Sequence, residues 1–182
     1  MIKLKTPEQI AIMREGGNIL AQLHKEVSEL VVPGITTAEL DNEMEKRILA
    51  ANAKPVLKGY TGFPGVMCVS VNEEVVHSVP SDRVLKEGDI ITLDVSIGWK
   101  GLHLDMARTL PIGKVSDESA HLIATAKKAL RLATRNAKVG NTLGDIGNSV
   151  QRFVEDQGYQ VVREMCGHGI GEELHEPPQV LN

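Results

Sequence analysis

Two runs of alternating apolar and polar residues flank a glycine-bounded turn in DIITLDVSIGWKGLHLDMARTL, residues 89–110. Successive side chains of a β-strand point to opposite faces of the sheet, so each run has one apolar and one polar face. The apolar face of the first run contains Ile91, Leu93, Val95 and Ile97. The pattern predicts an antiparallel hairpin whose apolar face must be covered by other elements, and this requirement limits the fold more than any other part of the chain.

The polar face of this hairpin carries two aspartates. If Gly98 lies opposite Gly101, Asp94 faces Asp105 directly, with about 4.5 to 5.5 Å between their Cβ atoms. Two carboxylates at that distance repel each other unless a cation or a shared proton offsets the charge. The pair therefore favours a divalent metal site. A catalytic carboxylate pair sharing a proton, and two solvated aspartates separated by a bulge, are the alternatives.

Helical periodicity precedes and follows the strands. Thr6-Pro7-Glu8-Gln9 has the residues of a capped helix start, with Thr6 as the cap and Gln9 as its reciprocal partner. A second helix is predicted to begin at Thr37, and two more are predicted over about 116–139 and 142–156. The mixture of helices and antiparallel strands predicts an α+β protein.

An internal similarity suggests how these elements are organised. Residues 33–56, PGITTAELDNEMEKRILAANAKPV, align without gaps on residues 139–162, VGNTLGDIGNSVQRFVEDQGYQVV. The alignment predicts one domain, 1–182, of two related halves, about 1–110 and about 111–182, with helices outside and strands inside. Strands reaching Thr109 follow the first copy, whereas about twenty residues follow the second. We therefore expect the second half to be incomplete.

The composition excludes several classes of protein. A net charge of -4 and an aromatic content of 3% argue against a protein that binds nucleic acid directly. Two cysteines, Cys68 and Cys166, form neither a disulfide framework nor a CxxC motif, as expected in a reducing compartment. No stretch has the apolar length of a signal sequence or a membrane span. We expect a cytoplasmic protein with no membrane partner.

The histidines differ in their surroundings. His168 lies among glycines in CGHGIG, where the backbone can approach a ligand closely. An imidazole combined with carboxylates suits Mn, Fe, Co or Zn better than Ca or Mg. A structural histidine satisfied by neighbouring groups is the alternative for His168. His24 and His121 lie in predicted helices and are expected at the surface, and His103 shares the aspartate face without being a ligand.

At this point the sequence resembles a known family. Asp94, Asp105 eleven residues later, CGHGIG and HEPPQVL are similar to the type I methionine aminopeptidases of the pita-bread metallopeptidase fold. The similarity covers essentially the whole chain, with KTPEQIAIMREGGNILA, PGITTAELD, GYTGFPGVMCVSVNEEVVHSVP and LKEGDIITLDV in order. It implies two pseudo-symmetric halves with helices packed outside a curved antiparallel sheet. It also implies metal-dependent removal of the initiator methionine from nascent proteins, near the ribosome.

The resemblance also implies roles for individual residues. The family uses one or two divalent ions. Asp94 resembles a ligand of one metal, and His168 resembles the imidazole ligand of the other. Asp105 resembles the carboxylate that bridges both. His77 resembles the histidine that contacts the scissile amide nitrogen, and His175 the one that holds the substrate carbonyl. The implied pocket for the methionine side chain is formed by Tyr60, Phe63, Cys68 and Leu174.

One departure and two alternatives accompany the resemblance. The family has two further glutamate ligands after Pro-Gln-Val-Leu, one of which is also the general base, and the sequence stops at Asn182 before either. We therefore expect weak activity or none from these 182 residues alone. Another pita-bread enzyme, such as a proline-directed peptidase, is the first alternative. The second is a binding module that kept the fold without the activity.

Overall fold

The computed structural model describes residues 2–182, which form two compact units. The N-terminal unit contains Leu4–Ser116 and Ile170–Leu174, and the C-terminal unit contains Asp117–Gly169 and His175–Asn182 together with residues 2–3. Within residues 2–182, every helix is too short or too polar to cross a bilayer.

Two capped helices open the N-terminal unit. In α1 (Pro7–Ser28), Thr6 Oγ1 accepts from the backbone N–H of Gln9 at 3.2 Å, and Gln9 Oε1 accepts from the N–H of Thr6 at 3.0 Å. In α2 (Thr37–Ala50), Thr36 and Glu39 form the same reciprocal pair. Each box satisfies N–H groups that the first turn of a helix leaves without partners. Both predicted helix starts are confirmed.

A four-stranded antiparallel sheet follows. Its strands are β1 (Lys54–Pro55), β2 (Met67–Val71), β3 (Ile90–Trp99) and β4 (Leu102–Pro111), and β3 pairs with each of the others. One face of β3 is fully buried, as the alternation predicts, and packs with residues of α1 and α2; this core includes Leu20, Leu23, Val27, Leu40, Met44, Ile48, Ile91, Leu93, Val95 and Ile97. Helix α1 approaches the hairpin closely, because a Cβ atom on Gly16 would lie 2.7 Å from Leu104 Cδ2.

The register of the β3–β4 hairpin differs from the predicted one. Trp99 faces Leu102 and Gly98 faces His103, so Lys100 and Gly101 form the turn, with φ values of 47° and 84°. The expectation that Gly98 lies opposite Gly101 is therefore wrong. A tight hairpin turn needs positive φ at both central positions, and the observed turn puts a glycine at one of them, whereas the predicted turn required this of Trp99.

The C-terminal unit contains two helices and a hairpin. Its elements are α3 (Asp117–Asn136), α4 (Leu143–Asp156), β5 (Cys166–Gly169) and β6 (Glu176–Leu181), with β5 and β6 antiparallel. Helix α4 lies close to the end of β6, because a Cβ atom on Gly147 would lie 2.9 Å from the carbonyl oxygen of Leu181. The helices predicted over about 116–139 and 142–156 are confirmed.

The internal similarity has a structural counterpart. Helices α2 and α4 each span 14 residues and begin at a capping box, on Thr36 in the first and Thr142 in the second. Gly34 and Gly140, two positions before these caps, have φ values of 99° and 97°. These residues occupy corresponding positions in the gap-free alignment, so the two copies share a helix length, a capping box and a glycine of similar positive φ.

His24 is not at the surface. Its side chain is 0% exposed on the core side of α1, next to Leu23 and Val27. The expectation of a surface histidine is wrong, because His24 falls within the apolar stripe of the helix. His121 is exposed, as expected.

Candidate metal and substrate site

The two aspartates lie on one face of the β3–β4 hairpin but do not face each other. Asp94 faces Ala107, and Asp105 faces Ser96, so the carboxylates are diagonal neighbours. In an antiparallel pair, diagonal positions are about 7–8 Å apart and within reach of longer side chains. The predicted direct opposition is wrong because the turn is displaced along the chain, but the shared face is as predicted. Two carboxylates at this separation leave room for a cation between them.

A hydroxyl group orients one of the carboxylates. The Oγ–H of Ser96 donates to Asp105 Oδ1 at 2.8 Å. Ser96 is 2% exposed, whereas Asp105 is exposed, so the hydrogen bond ties a solvent-facing carboxylate to a buried anchor. Such support restricts the rotation of a carboxylate and fixes which oxygen is presented outward. The sequence shows Ser96 on the aspartate face, but it does not reveal this contact, which depends on the register.

The negative charges of the carboxylates affect the ionisation of Cys68 on the neighbouring strand. Cys68 lies on β2 directly opposite Asp94 and is 5% exposed. Burial, and to a smaller extent the negative charges of Asp94 and Asp105, together raise the pKa of the Cys68 thiol to about 12. The thiol therefore stays protonated near neutral pH, beside a face whose charge favours a cation.

The remaining candidates from the first half lie in turns of the N-terminal unit. His77 is exposed and has φ of 60°, a conformation uncommon outside glycine. The next residue, Ser78, accepts the N–H of Val69 on its carbonyl oxygen at 3.0 Å, which holds this segment alongside β2. Tyr60 lies in a single 3-10 turn, Tyr60–Gly62, and Phe63, which follows it, is half-buried.

Leu174 belongs to the segment 170–174 of the same unit and is 5% exposed. His103 on β4 holds this segment at Gly171. The carbonyl oxygen of Gly171 lies 2.7 Å from the backbone N–H of His103, which donates to it, and 3.2 Å from His103 Nδ1. Because a carbonyl oxygen only accepts, Nδ1 carries the ring proton in this contact. His103 therefore anchors a segment of chain through both its backbone N–H and its ring.

His168 and His175 are neighbours within the C-terminal unit. Their ring centroids are 4.4 Å apart, with the planes inclined at 57°. His168 Nδ1 lies 2.9 Å from the carbonyl oxygen of Gly169, so Nδ1–H donates and the lone pair of the neutral ring is on Nε2. Histidines that bind metals usually donate their other ring N–H in this way. The contact suits His168 for coordination through Nε2.

A complete metal cage is not visible in the structure. Among residues 2–182, no three His, Cys, Asp or Glu side chains are grouped closely enough to hold an ion. The set Asp94, Asp105 and His168 therefore stays a prediction. The chemistry of its donors fits a divalent cation, since the two carboxylates share a face and the imidazole has its second nitrogen hydrogen-bonded.

Comparison with known proteins identifies close relatives. The model of metallopeptidase family M24 matches residues 11–182. Methionine aminopeptidase 1 of Bacillus subtilis is 46% identical over 180 residues, which cover 99% of this chain and 73% of the relative. The crystal structure of methionine aminopeptidase from Rickettsia prowazekii superimposes with a TM-score of 0.98 at 35% identity, covering 100% of this chain and 73% of that chain.

More distant structures share the fold alone. Prolidase from Pyrococcus furiosus is 21% identical, with a TM-score of 0.87, and the match covers 98% of this chain and 52% of that chain. The α+β pita-bread fold expected from the sequence is thus confirmed, with helices packed against an antiparallel sheet. The higher identity to methionine aminopeptidases separates this chain from the proline-directed alternative.

Proposed function

The chain belongs to metallopeptidase family M24, and from this premise we propose that Asp94, Asp105 and His168 are its metal ligands. Its activity follows from its relatives: it is a metalloaminopeptidase that removes the initiator methionine from proteins. The observation that carries the ligand assignment is the pair of carboxylates on one face of the β3–β4 hairpin.

We propose that one or two ions of Mn, Fe, Co or Zn bind these residues, since mixed carboxylate and imidazole donors suit those metals. Asp94 would hold one ion and His168, through Nε2, the other, with Asp105 shared between them. A bound divalent ion supplies Lewis-acid activation of water and of the scissile carbonyl. Ser96 holds Asp105 in a fixed orientation throughout, because its hydroxyl already donates to Oδ1.

The two other histidines act on the peptide bond in this proposal. His77 contacts the scissile amide nitrogen, and the positive φ of its backbone sets the direction of its side chain. His175 donates to the substrate carbonyl oxygen as negative charge develops there. A donor of this kind contributes about 3 kcal/mol to the stabilisation of an acyl-transfer transition state.

Tyr60, Phe63, Cys68 and Leu174 bind the methionine side chain. An apolar substrate group needs an uncharged lining. Cys68 supplies one because its raised pKa keeps the thiol neutral, and Leu174 contributes a buried aliphatic side chain. Both features support a pocket for an apolar side chain.

The substrates we propose are the N-termini of nascent polypeptides. Such substrates arise at ribosomes in the cytoplasm, so we assign the protein to that compartment, with no membrane or direct nucleic-acid partner. We further propose that residues 1–182 act as one catalytic domain, with a first half of about 1–110 and a second half of about 111–182.

Calorimetric titration with Mn²⁺ tests the ligand assignment, together with release of methionine from a Met-Gly-Met peptide. Asp94→Asn and Asp105→Asn should each weaken Mn²⁺ binding by at least about tenfold and abolish metal-dependent release. Asp82→Asn, at an exposed position of the same unit, serves as the control. Wild-type Mn²⁺ affinity in Asp94→Asn would refute the assignment. Affinity is the primary measurement, because it reports on the ligands directly and does not depend on turnover.

A further inference from the structure

His24 is a fully buried histidine that the proposed reaction does not use. It lies in α1, with its side chain 0% exposed, and its ring nitrogens contact two groups. Nε2 is 3.1 Å from the carbonyl oxygen of Leu93 on β3, and Nδ1 is 3.3 Å from Ser28 Oγ. The hydroxyl of Ser28 in turn donates to the carbonyl oxygen of His24 at 2.6 Å. Burying a polar ring is costly unless hydrogen bonds satisfy it, and one of the groups that His24 contacts is the backbone of a strand.

The proton of the neutral ring can be assigned from these contacts. Burial lowers the pKa of His24, and the positive charge of Arg108 on β4 lowers it further, while the contact with Leu93 acts in the opposite direction. The ring is therefore neutral near pH 7. Because the Leu93 carbonyl oxygen only accepts, Nε2 carries the proton and donates to it. The helix thus makes a side-chain hydrogen bond to the backbone of the strand.

The accepting carbonyl belongs to the peptide group that leads to Asp94. The carbonyl of Leu93, the nitrogen of Asp94 and the Cα of Asp94 lie in one plane, because a peptide bond is rigid. Leu93 points its side chain into the core, whereas Asp94 points to the opposite, polar face. A hydrogen bond that holds this plane from the core side therefore holds the Asp94 Cα in place and, together with the extended backbone of β3, restricts the direction of its Cα–Cβ bond.

We infer that His24 is a positioning residue for Asp94, holding the peptide plane between Leu93 and Asp94 so that the carboxylate is presented to the metal. This role rests on the proposed function of Asp94 as a metal ligand. It connects α1, which contains none of the proposed ligands, to the carboxylate face. His24 touches neither metal nor substrate, so its effect is transmitted through the strand.

Two substitutions separate the hydrogen bond from the packing. His24→Leu fills the buried space with an apolar side chain but removes the donor, whereas His24→Gln keeps an N–H near the position of Nε2. Leu20→Ala, in the same helix and 2% exposed, is the control for a weakened core. The measurements are Mn²⁺ affinity by calorimetry, the carbonyl ¹³C resonance of Leu93 by NMR, and kcat and KM on Met-Gly-Met.

His24→Leu should move the Leu93 carbonyl resonance upfield, weaken Mn²⁺ binding by about tenfold and lower kcat by a similar factor with little change in KM. His24→Gln should restore the resonance and most of the affinity. Leu20→Ala should lower thermal stability while leaving the resonance and the affinity close to wild type. A purely structural role for His24 would make the leucine variant resemble Leu20→Ala.

The outcomes distinguish this inference from the ligand assignment. If Asp94→Asn loses Mn²⁺ affinity while His24→Leu keeps it, only the positioning role of His24 is overturned. Equal loss of affinity in Leu20→Ala and His24→Leu overturns it as well. If Asp94→Asn keeps wild-type affinity, or if the wild-type chain binds no Mn²⁺, both the ligand assignment and the positioning role are wrong.

Discussion

Cys68 lies directly opposite Asp94 across the β2–β3 ladder, so a buried thiol and a proposed metal ligand share one face of the sheet. Antiparallel partners bring side chains within a few ångströms of each other, and a negative charge at that distance disfavours a thiolate. The ionisation of Cys68 is therefore a sensitive probe of the charge on the carboxylate face.

We predict that Asp94→Asn and Asp105→Asn each lower the pKa of Cys68 from about 12, because each removes a charge that raises it. Burial is the largest cause of the raised pKa and is unchanged, so the pKa should stay above that of an exposed cysteine. Thiolate ultraviolet absorbance followed against pH measures the shift, in a Cys166→Ser background that leaves one thiol. Asp82→Asn should leave the titration of Cys68 where it is in the wild type. Unshifted curves for both test variants would mean that the carboxylates lie farther from Cys68 than the register indicates.

Ser96→Ala should weaken Mn²⁺ binding by about tenfold, because Asp105 loses the hydroxyl that orients it. Ser96→Thr keeps the hydroxyl and should retain most of the affinity. The matched control is Thr92→Val, since the Thr92 hydroxyl lies on the same strand but bonds Thr109 Oγ1 at 2.8 Å. Calorimetry compares all three. Wild-type affinity in Ser96→Ala would show that Asp105 keeps its orientation without this hydrogen bond.

The two glycines beside His168 should respond differently to substitution. A Cβ atom on Gly169 would lie 2.5 Å from the carbonyl oxygen of Pro177, whereas one on Gly167 would lie 3.3 Å from that of Val180. Gly169→Ala should therefore lower the free energy of unfolding by about 1–3 kcal/mol, through overpacking against backbone that cannot move aside. Gly167→Ala should have a smaller effect. Urea denaturation gives both values, and equal losses would argue against the close β5–β6 contact.

Stability should fall in acid because of His24. Its pKa is lowered in the folded protein, mainly by burial, so the folded state binds fewer protons than the unfolded state below the ordinary histidine pKa of about 6.5. The contribution is fully present above that pH and is lost as the pH falls, by at most about 1.4 kcal/mol per pH unit.

His24→Gln removes this titration, so the wild type should lose more stability than His24→Gln between neutral pH and about pH 5. The free energy of unfolding in urea, measured across that range, provides the comparison. Parallel curves for the wild type and His24→Gln would exclude His24 as a source of acid instability.

Local signals in the sequence were sufficient for much of the fold. The capping box at Thr6 and Gln9 uses short-range hydrogen bonds that depend on few other residues, and it is present as predicted. The similarity between residues 33–56 and 139–162 correctly placed Thr36 and Thr142 at corresponding positions, and each caps its helix. Family membership and function were also predicted correctly, because the motifs occur in order over the whole chain.

The register of the hairpin could not be predicted from local signals of this kind. Alternation showed which residues share a face, but several turn positions are compatible with one alternating pattern. The conformational demands on Lys100 and Gly101 selected the observed turn. The predicted register was wrong by two residues, which leaves Asp105 on the same face of the hairpin. The prediction that Asp94 and Asp105 share a face was therefore correct, and the prediction that they lie directly opposite each other was wrong.

The contacts of His24 and Ser96 could not be predicted for a different reason. The spacing of His24 from Leu20 and Val27 placed it in the apolar stripe of α1, a signal that was present but outweighed by the polarity of its ring. Its partner, the Leu93 carbonyl, is a backbone group and leaves no trace in the sequence pattern. The roles proposed for Asp94, Asp105 and His168 as ligands stay predictions until metal binding is measured.

The short connection between Trp99 and Leu102 has an evolutionary consequence. One extra residue at this point would rotate every following side chain of β4 by half a turn, sending Asp105 towards the helices and Leu104 into solvent. A pair of extra residues would lengthen the loop and leave the orientation intact. Insertions and deletions tolerated here should therefore come in even numbers, or be accompanied by a bulge that restores the phase of the strand.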